Sequence, residues 1–90
     1  MGPIPTQGSM FYVYVIQSLT NKKYYIGSTN NIERRMYEHN HNNTTSLRNK
    51  GPFVLIYQEE YMTVSEARLR ERKIKSYKGG NAFKKLLALS

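Results

Sequence analysis

Between Tyr12 and His39 the chain reads YVYVIQSLTNKKYYIGSTNNIERRMYEH, and inside that stretch the apolar spacing changes from strand alternation to a helical repeat. This change constrains the fold more than any other feature, because two short strands must sit directly before a helix. Phe11 to Ile16 crowds β-branched and aromatic residues into one run, which is strand composition. SLTNKK supplies turn residues, and Tyr24 to Gly27 returns as the second strand of a hairpin. Asn30 then stands as an N-cap, with Glu33 three residues later at capping-box spacing. Ile32, Arg35, Met36 and His39 follow at i, i+3, i+4 and i+7, one face of a helix.

The remaining chain extends this pattern. NHNNTTSLRNKGP is polar and ends in Gly-Pro, so it reads as an exposed loop. FVLIY, from Phe53 to Tyr57, is the most apolar run; we expect it to be the central strand, extending through Gln58 towards Tyr61. TVSEARLRERKIKSYKGG is a basic helix capped at Thr63 or Ser65 and stopped by Gly79-Gly80. NAFKKLLALS closes the chain as a short amphipathic helix with Phe83, Leu86 and Leu87 inward. The order is β-β-α-β-α-α, an α+β fold with a small three-stranded, mainly antiparallel sheet flanked by helices. Residues 1–9, MGPIPTQGS, mix Gly, Pro and small polar residues before a second methionine. They read as an added leader, with one domain over residues 10–90 and Met10 its native start.

Charge and composition narrow the function. Fourteen Lys and Arg against six acids give a net charge of +8, which favours a polyanionic partner such as nucleic acid. Every acid is a glutamate, so carboxylate chemistry must draw on Glu33, Glu38, Glu59, Glu60, Glu66 or Glu71. Cysteine is absent, which excludes disulfides and thiolate metal sites. No apolar stretch is long enough to span a bilayer and no secretory signal is present, so a cytoplasmic location without membrane partners is expected.

Five of the eight tyrosines fall in the hairpin and the helix after it. Tyr12 and Tyr14 alternate onto one face, whereas the adjacent Tyr24 and Tyr25 must point oppositely. Cross-strand aromatic pairing accounts for any one of these rings. On the following helix Arg35 and His39 share the apolar-side stripe, where an unpaired guanidinium is costly to bury. In the later helix Val64, Ala67, Glu71, Ile74 and Lys78 follow one face, with Glu71 in its middle. A carboxylate there needs a cation, a hydrogen-bond donor or a metal. The spacing leaves two readings open: an ion pair to an arginine such as Arg35, or a metal ligand.

YVY (Tyr12 to Tyr14) and YIG (Tyr25 to Gly27), followed by NNIERRMYEH and EARLRERKIKSY, resemble the GIY-YIG nuclease superfamily, in particular its small stand-alone members. The likeness runs from about Phe11 to the end of the chain; Tyr12 and Val13 stand where the name-giving Gly and Ile would be. The resemblance implies a metal-dependent phosphodiesterase using one divalent cation, Mg²⁺ or Mn²⁺. By position Tyr14 and Tyr25 match the motif tyrosines, Arg35 the helix arginine, His39 a histidine one turn on, and Glu71 the metal-binding glutamate. Asn81 is the one candidate for a late asparagine that many members carry. A tyrosine acts as general base only if its pKa falls well below ~10, and Arg35 and the metal are expected to push it down. Which tyrosine does so stays open at this level.

Arg34, Arg48, Lys50, Arg68, Arg72 and Lys75, together with Arg70 and Lys73, are exposed charges suited to tracking a phosphate backbone without reading sequence. The leading expectation is therefore an endonuclease acting on DNA, branched and single-stranded forms included, structure-selective or weakly selective. The alternatives are a non-catalytic nucleic-acid binding module on the same fold and a basic scaffold subunit. A binder has no need of Glu71, which ranks the enzyme first.

Overall fold

A computed structural model describes residues 10–41 and 51–88. Arg48, Lys50 and residues 1–9, expected to be a leader, lie outside the described residues. The elements are β1 (Phe11–Ser18), β2 (Tyr24–Thr29), α1 (Ile32–Asn40), β3 (Phe53–Tyr61), α2 (Val64–Lys75) and α3 (Asn81–Ala88), in the expected β-β-α-β-α-α order. Both strand pairings are antiparallel, and the spatial order is β2-β1-β3.

The central strand is β1 and not β3, contrary to the expectation drawn from FVLIY. Val13, Tyr14, Val15 and Ile16 are buried in succession, because β1 is covered on both faces. Val13 and Val15 pack with Ala67 and Ile74 of α2 and with Phe83 and Leu86 of α3. Tyr14 and Ile16 face the other way and pack with Phe53, Ile32 and Met36, the last two from α1. A strand buried on both faces reads as an unbroken apolar run, and so does FVLIY. The distinguishing signal is the Gln58-Glu59-Glu60 tail, whose charge belongs on an edge. Val54 and Leu55 of β3 remain partly exposed.

Helix α1 begins one residue later than the sequence suggests. Asn31 is the N-cap, and its side chain accepts a hydrogen bond from the Arg34 backbone N–H. Asn30 instead accepts from the Arg34 guanidinium. At the far end Asn40 clasps the start of β3: its Oδ1 accepts from the Phe53 N–H at 2.6 Å and its Nδ2 donates to the Phe53 carbonyl at 3.3 Å. This clasp fixes the last turn of α1, which carries His39, against the sheet.

Helix α2 is capped by Thr63, which accepts from the Glu66 N–H. It is further tied to β3 by a cluster that the sequence does not announce. Tyr57, Glu59 and Tyr61 alternate onto the α2 face, and both tyrosine hydroxyls donate to the Glu59 carboxylate. Arg70 donates to the same carboxylate through Nε and Nη2 at 2.8 and 3.0 Å. Burial opposes ionisation of Glu59, but the hydrogen bonds from Arg70, Tyr57 and Tyr61 outweigh it and hold its pKa below the usual value. Burial and the bond to Glu59 push the Tyr61 hydroxyl up to about 12. Arg70 is thus committed to the fold and leaves the set of phosphate-tracking cations.

Candidate active site

A pocket of about 500 Å³ opens along β2, lined from β1, β2, α1 and α2. Because β2 is an edge strand, groups from opposite faces of the sheet reach it: Tyr14, Arg35 and His39 from the α1 side, and Glu71 from the α2 side. Tyr25 also lines it. The five side chains singled out by the resemblance are therefore brought to one cavity.

Tyr14 is fixed by its place at the centre of the sheet and is 4% exposed. Its hydroxyl lies 2.9 Å from His39 Nε2, a buried hydrogen bond between β1 and the last turn of α1. Phe53 packs edge-on against the His39 ring with centroids 5.9 Å apart. The tyrosine fits because residue 27, its cross-strand neighbour, is glycine. A Cβ there would lie 2.5 Å from the Tyr14 hydroxyl oxygen and 2.7 Å from Cζ. Gly27 is not in the left-handed region, so room and not backbone freedom explains the glycine of YIG.

Burial raises the Tyr14 pKa above its ordinary value, outweighing the hydrogen bonding and charge of Arg35 that pull it down. His39 shifts oppositely: burial first, then the Arg35 charge, lowers its pKa, so the ring is neutral near neutral pH. Arg35 Nη1 donates to Glu38 at 2.9 Å, while its Nε is buried without a hydrogen-bond partner. A partnerless buried donor is costly, and an anion entering the pocket would relieve it.

Glu71 departs from the ion pair envisaged with Arg35. Its Oε1 accepts from the Ser28 hydroxyl at 2.7 Å and its Oε2 pairs with Lys75 Nζ at 2.8 Å. Arg35 stands on the opposite side of the sheet and is engaged by Glu38, whereas Lys75 is one turn from Glu71 on the same helix. The Glu71 side chain is 19% exposed. The i, i+4 glutamate–lysine spacing was a visible signal for Lys75. Ser28 carried none, since strand pairing alone sets it beside a residue 43 positions away.

Tyr25 packs edge-on against Phe53 at 5.7 Å, and its hydroxyl accepts from Asn21 Nδ2 at 3.2 Å. Asn81 begins α3 and does not line the pocket. Arg34 and Arg68 line a neighbouring hollow, and Arg68, Arg72, Lys75 and Glu71 line a further one of about 220 Å³. Cations thus flank the pocket on both helices. Among the described residues no three His, Cys, Asp or Glu side chains converge as a metal cage; Glu71 is a single carboxylate bonded to the Ser28 hydroxyl, with Tyr14 lining the same pocket.

Residues 10–84 match the family model described as the GIY-YIG catalytic domain. The chain belongs to the GIY-YIG family. This is a nuclease family, so its substrates are nucleic acids, and its members generally use a divalent metal. Curated relatives are UPF0213 proteins. One from Staphylococcus haemolyticus is 37% identical over 67 residues, covering 73% of this chain and 80% of that protein. Another, from Haloquadratum walsbyi, is also 37% identical over 67 residues, covering 73% and 74%. The solution NMR structure of a UPF0213 protein from Bacillus halodurans has the same fold, with a TM-score of 0.58, 24% identity and coverage of 90% and 85%. Among the described residues no helix is long and apolar enough to cross a membrane.

Proposed function

We propose that this GIY-YIG protein is an endonuclease that hydrolyses DNA phosphodiester bonds with one divalent cation, Mg²⁺ or Mn²⁺, held by Glu71. The observation that carries the reading is the meeting of Glu71 with the Tyr14–His39 pair and Arg35 in one pocket. The donors suit such a cation: a carboxylate and hydroxyls are hard oxygen ligands, and Mg²⁺ is commonly held by one or two carboxylates with its remaining positions wet. When bound, the cation supplies Lewis-acid stabilisation of the charge that builds on the phosphate.

The chain's own residues supply the rest. Arg35 binds a phosphate oxygen, with its unpartnered Nε as the waiting donor. His39 is neutral and adjoins the Tyr14 hydroxyl, so it is placed to take up a proton during the reaction, either from Tyr14 or from the attacking water through it. With the Tyr14 pKa raised, and the substrate phosphate itself anionic, a phenolate would form only with the positive charge that a bound cation would supply. Tyr25 lines the same pocket and orients the substrate beside it. Arg34, Arg68, Arg72 and Lys75 track the backbone, which gives affinity without sequence readout and therefore a structure-selective or weakly selective enzyme. The test is a panel of labelled linear, nicked, flapped, branched and single-stranded DNAs, with RNA counterparts, incubated with Mg²⁺, Mn²⁺ or chelator. Cation-dependent cutting of DNA supports the reading; binding without cutting on every substrate points to the non-catalytic module.

A further inference from the structure

We propose that Lys75 is a resident counter-cation of the Glu71 site. Its ammonium occupies the carboxylate when cation and DNA are absent, suppresses divalent binding there, and passes to the phosphate backbone when the site loads. The inference rests on the reading of Glu71 as the metal ligand and adds a control on when that ligand is available.

Three observations support it. First, Lys75 Nζ sits 2.8 Å from Glu71 Oε2, with Ser28 fixing the other oxygen. A carboxylate held at one oxygen by a hydroxyl and at the other by a positive charge meets its electrostatic need without a metal. Any divalent cation at Oε2 would meet the ammonium's repulsion at close range. Second, the Lys75 side chain is 54% exposed and sits on a flexible four-carbon stem, so releasing it is cheap. Third, there is a place for it to go. Lys75 lines the cavity that holds Tyr14 and Arg35, and it also lines the outer hollow with Arg68 and Arg72. Arg68, Arg72 and Lys75 are spaced i, i+4 and i+7, so they share one face of α2. A phosphate strand in that hollow attracts the same ammonium that Glu71 holds. DNA arrival and metal loading are then coupled: each favours the lysine position that the other requires.

This differs in sign from a structural role. If Lys75 merely props Glu71 in place, removing it leaves metal affinity unchanged or weaker; a counter-cation leaves it stronger. The experiment is a Mn²⁺ titration of DNA-free full-length protein, read by water-proton relaxation, on wild type, Lys75→Met, Glu71→Gln and Lys84→Met. Lys84 is an exposed residue of α3 and controls for the lost net charge. Lys75→Met is expected to bind Mn²⁺ roughly tenfold tighter than wild type or better, as removal of a unit charge a few ångströms from the ion requires even under strong screening. Lys84→Met should match wild type, and Glu71→Gln should bind none at this site. Equal or weaker binding by Lys75→Met, with Glu71→Gln still deficient, overturns the inference and leaves the Glu71 assignment standing. Equal Mn²⁺ binding by wild type and Glu71→Gln, or no binding by any variant, overturns both.

Discussion

At the residue scale, one contact explains why two motif positions must agree. Tyr14 lies over Gly27 so closely that a methyl group at 27 would collide with its ring and hydroxyl. Gly27→Ala should therefore displace the phenol from His39, cost about 1–3 kcal/mol of stability, and reduce cleavage more than its stability loss explains. Thermal melting and turnover of the same sample separate the two effects. Tyr14→Phe keeps the ring and removes only the hydroxyl. We expect a fold and DNA affinity close to wild type and turnover lower by ~10²–10⁴-fold, the usual worth of a group that moves a proton. Tyr24→Phe is the control, since Tyr24 packs edge-on against Phe83 and needs its ring alone. Comparable rates for both variants would make Tyr14 a packing residue. The sequence made Tyr14, Tyr25, Arg35, His39 and Glu71 legible because motif spacing and helical stripes are local. It did not reveal that burial would outweigh Arg35 in setting the Tyr14 pKa, because that balance depends on depth in the folded sheet.

At the element scale, the order and type of all six elements were readable from periodicity and capping residues, whereas the sheet's centre was not. FVLIY and YVYVI are similar apolar runs, and only covering helices decide which is buried on both faces. The Tyr57, Glu59, Tyr61 and Arg70 cluster was hidden for a related reason: strand alternation places three of these on one face, but only the docking of α2 brings the arginine to them. Arg70 looked like one more surface charge in a basic helix. Glu59→Gln should destabilise the fold by about 1–3 kcal/mol, because it leaves a half-buried guanidinium and two hydroxyls short of an acceptor. The pH dependence follows from the depressed Glu59 pKa. Its stabilisation is fully present above the unfolded carboxylate value of about 4.3 and is lost as pH falls through the lower folded value. Melting curves from pH 7 to pH 3 should show a steeper acid loss for wild type than for Glu59→Gln. Parallel curves would mean the cluster contributes nothing through ionisation.

At the scale of the whole molecule, the pocket exists because a three-stranded sheet is narrow. With β2 at the edge, α1 on one face and α2 on the other can both reach the same cavity, so a buried tyrosine–histidine pair faces a carboxylate from the opposite layer. Arg34, Arg68, Arg72 and Lys75 then flank that cavity with charge suited to a phosphate backbone. The central claim is that Glu71 is a metal ligand and not a structural ion-pair partner, and Glu71→Gln tests it most directly. Glutamine keeps an acceptor for Ser28, and the released Lys75 is exposed enough to be solvated, so stability should change by about 1 kcal/mol or less. Melting temperature should thus stay near wild type and DNA binding in chelator should be at least as tight, since Lys75 is freed for the phosphate backbone, while Mg²⁺- or Mn²⁺-dependent cleavage disappears. Cleavage by Glu71→Gln at the wild-type rate would contradict the account.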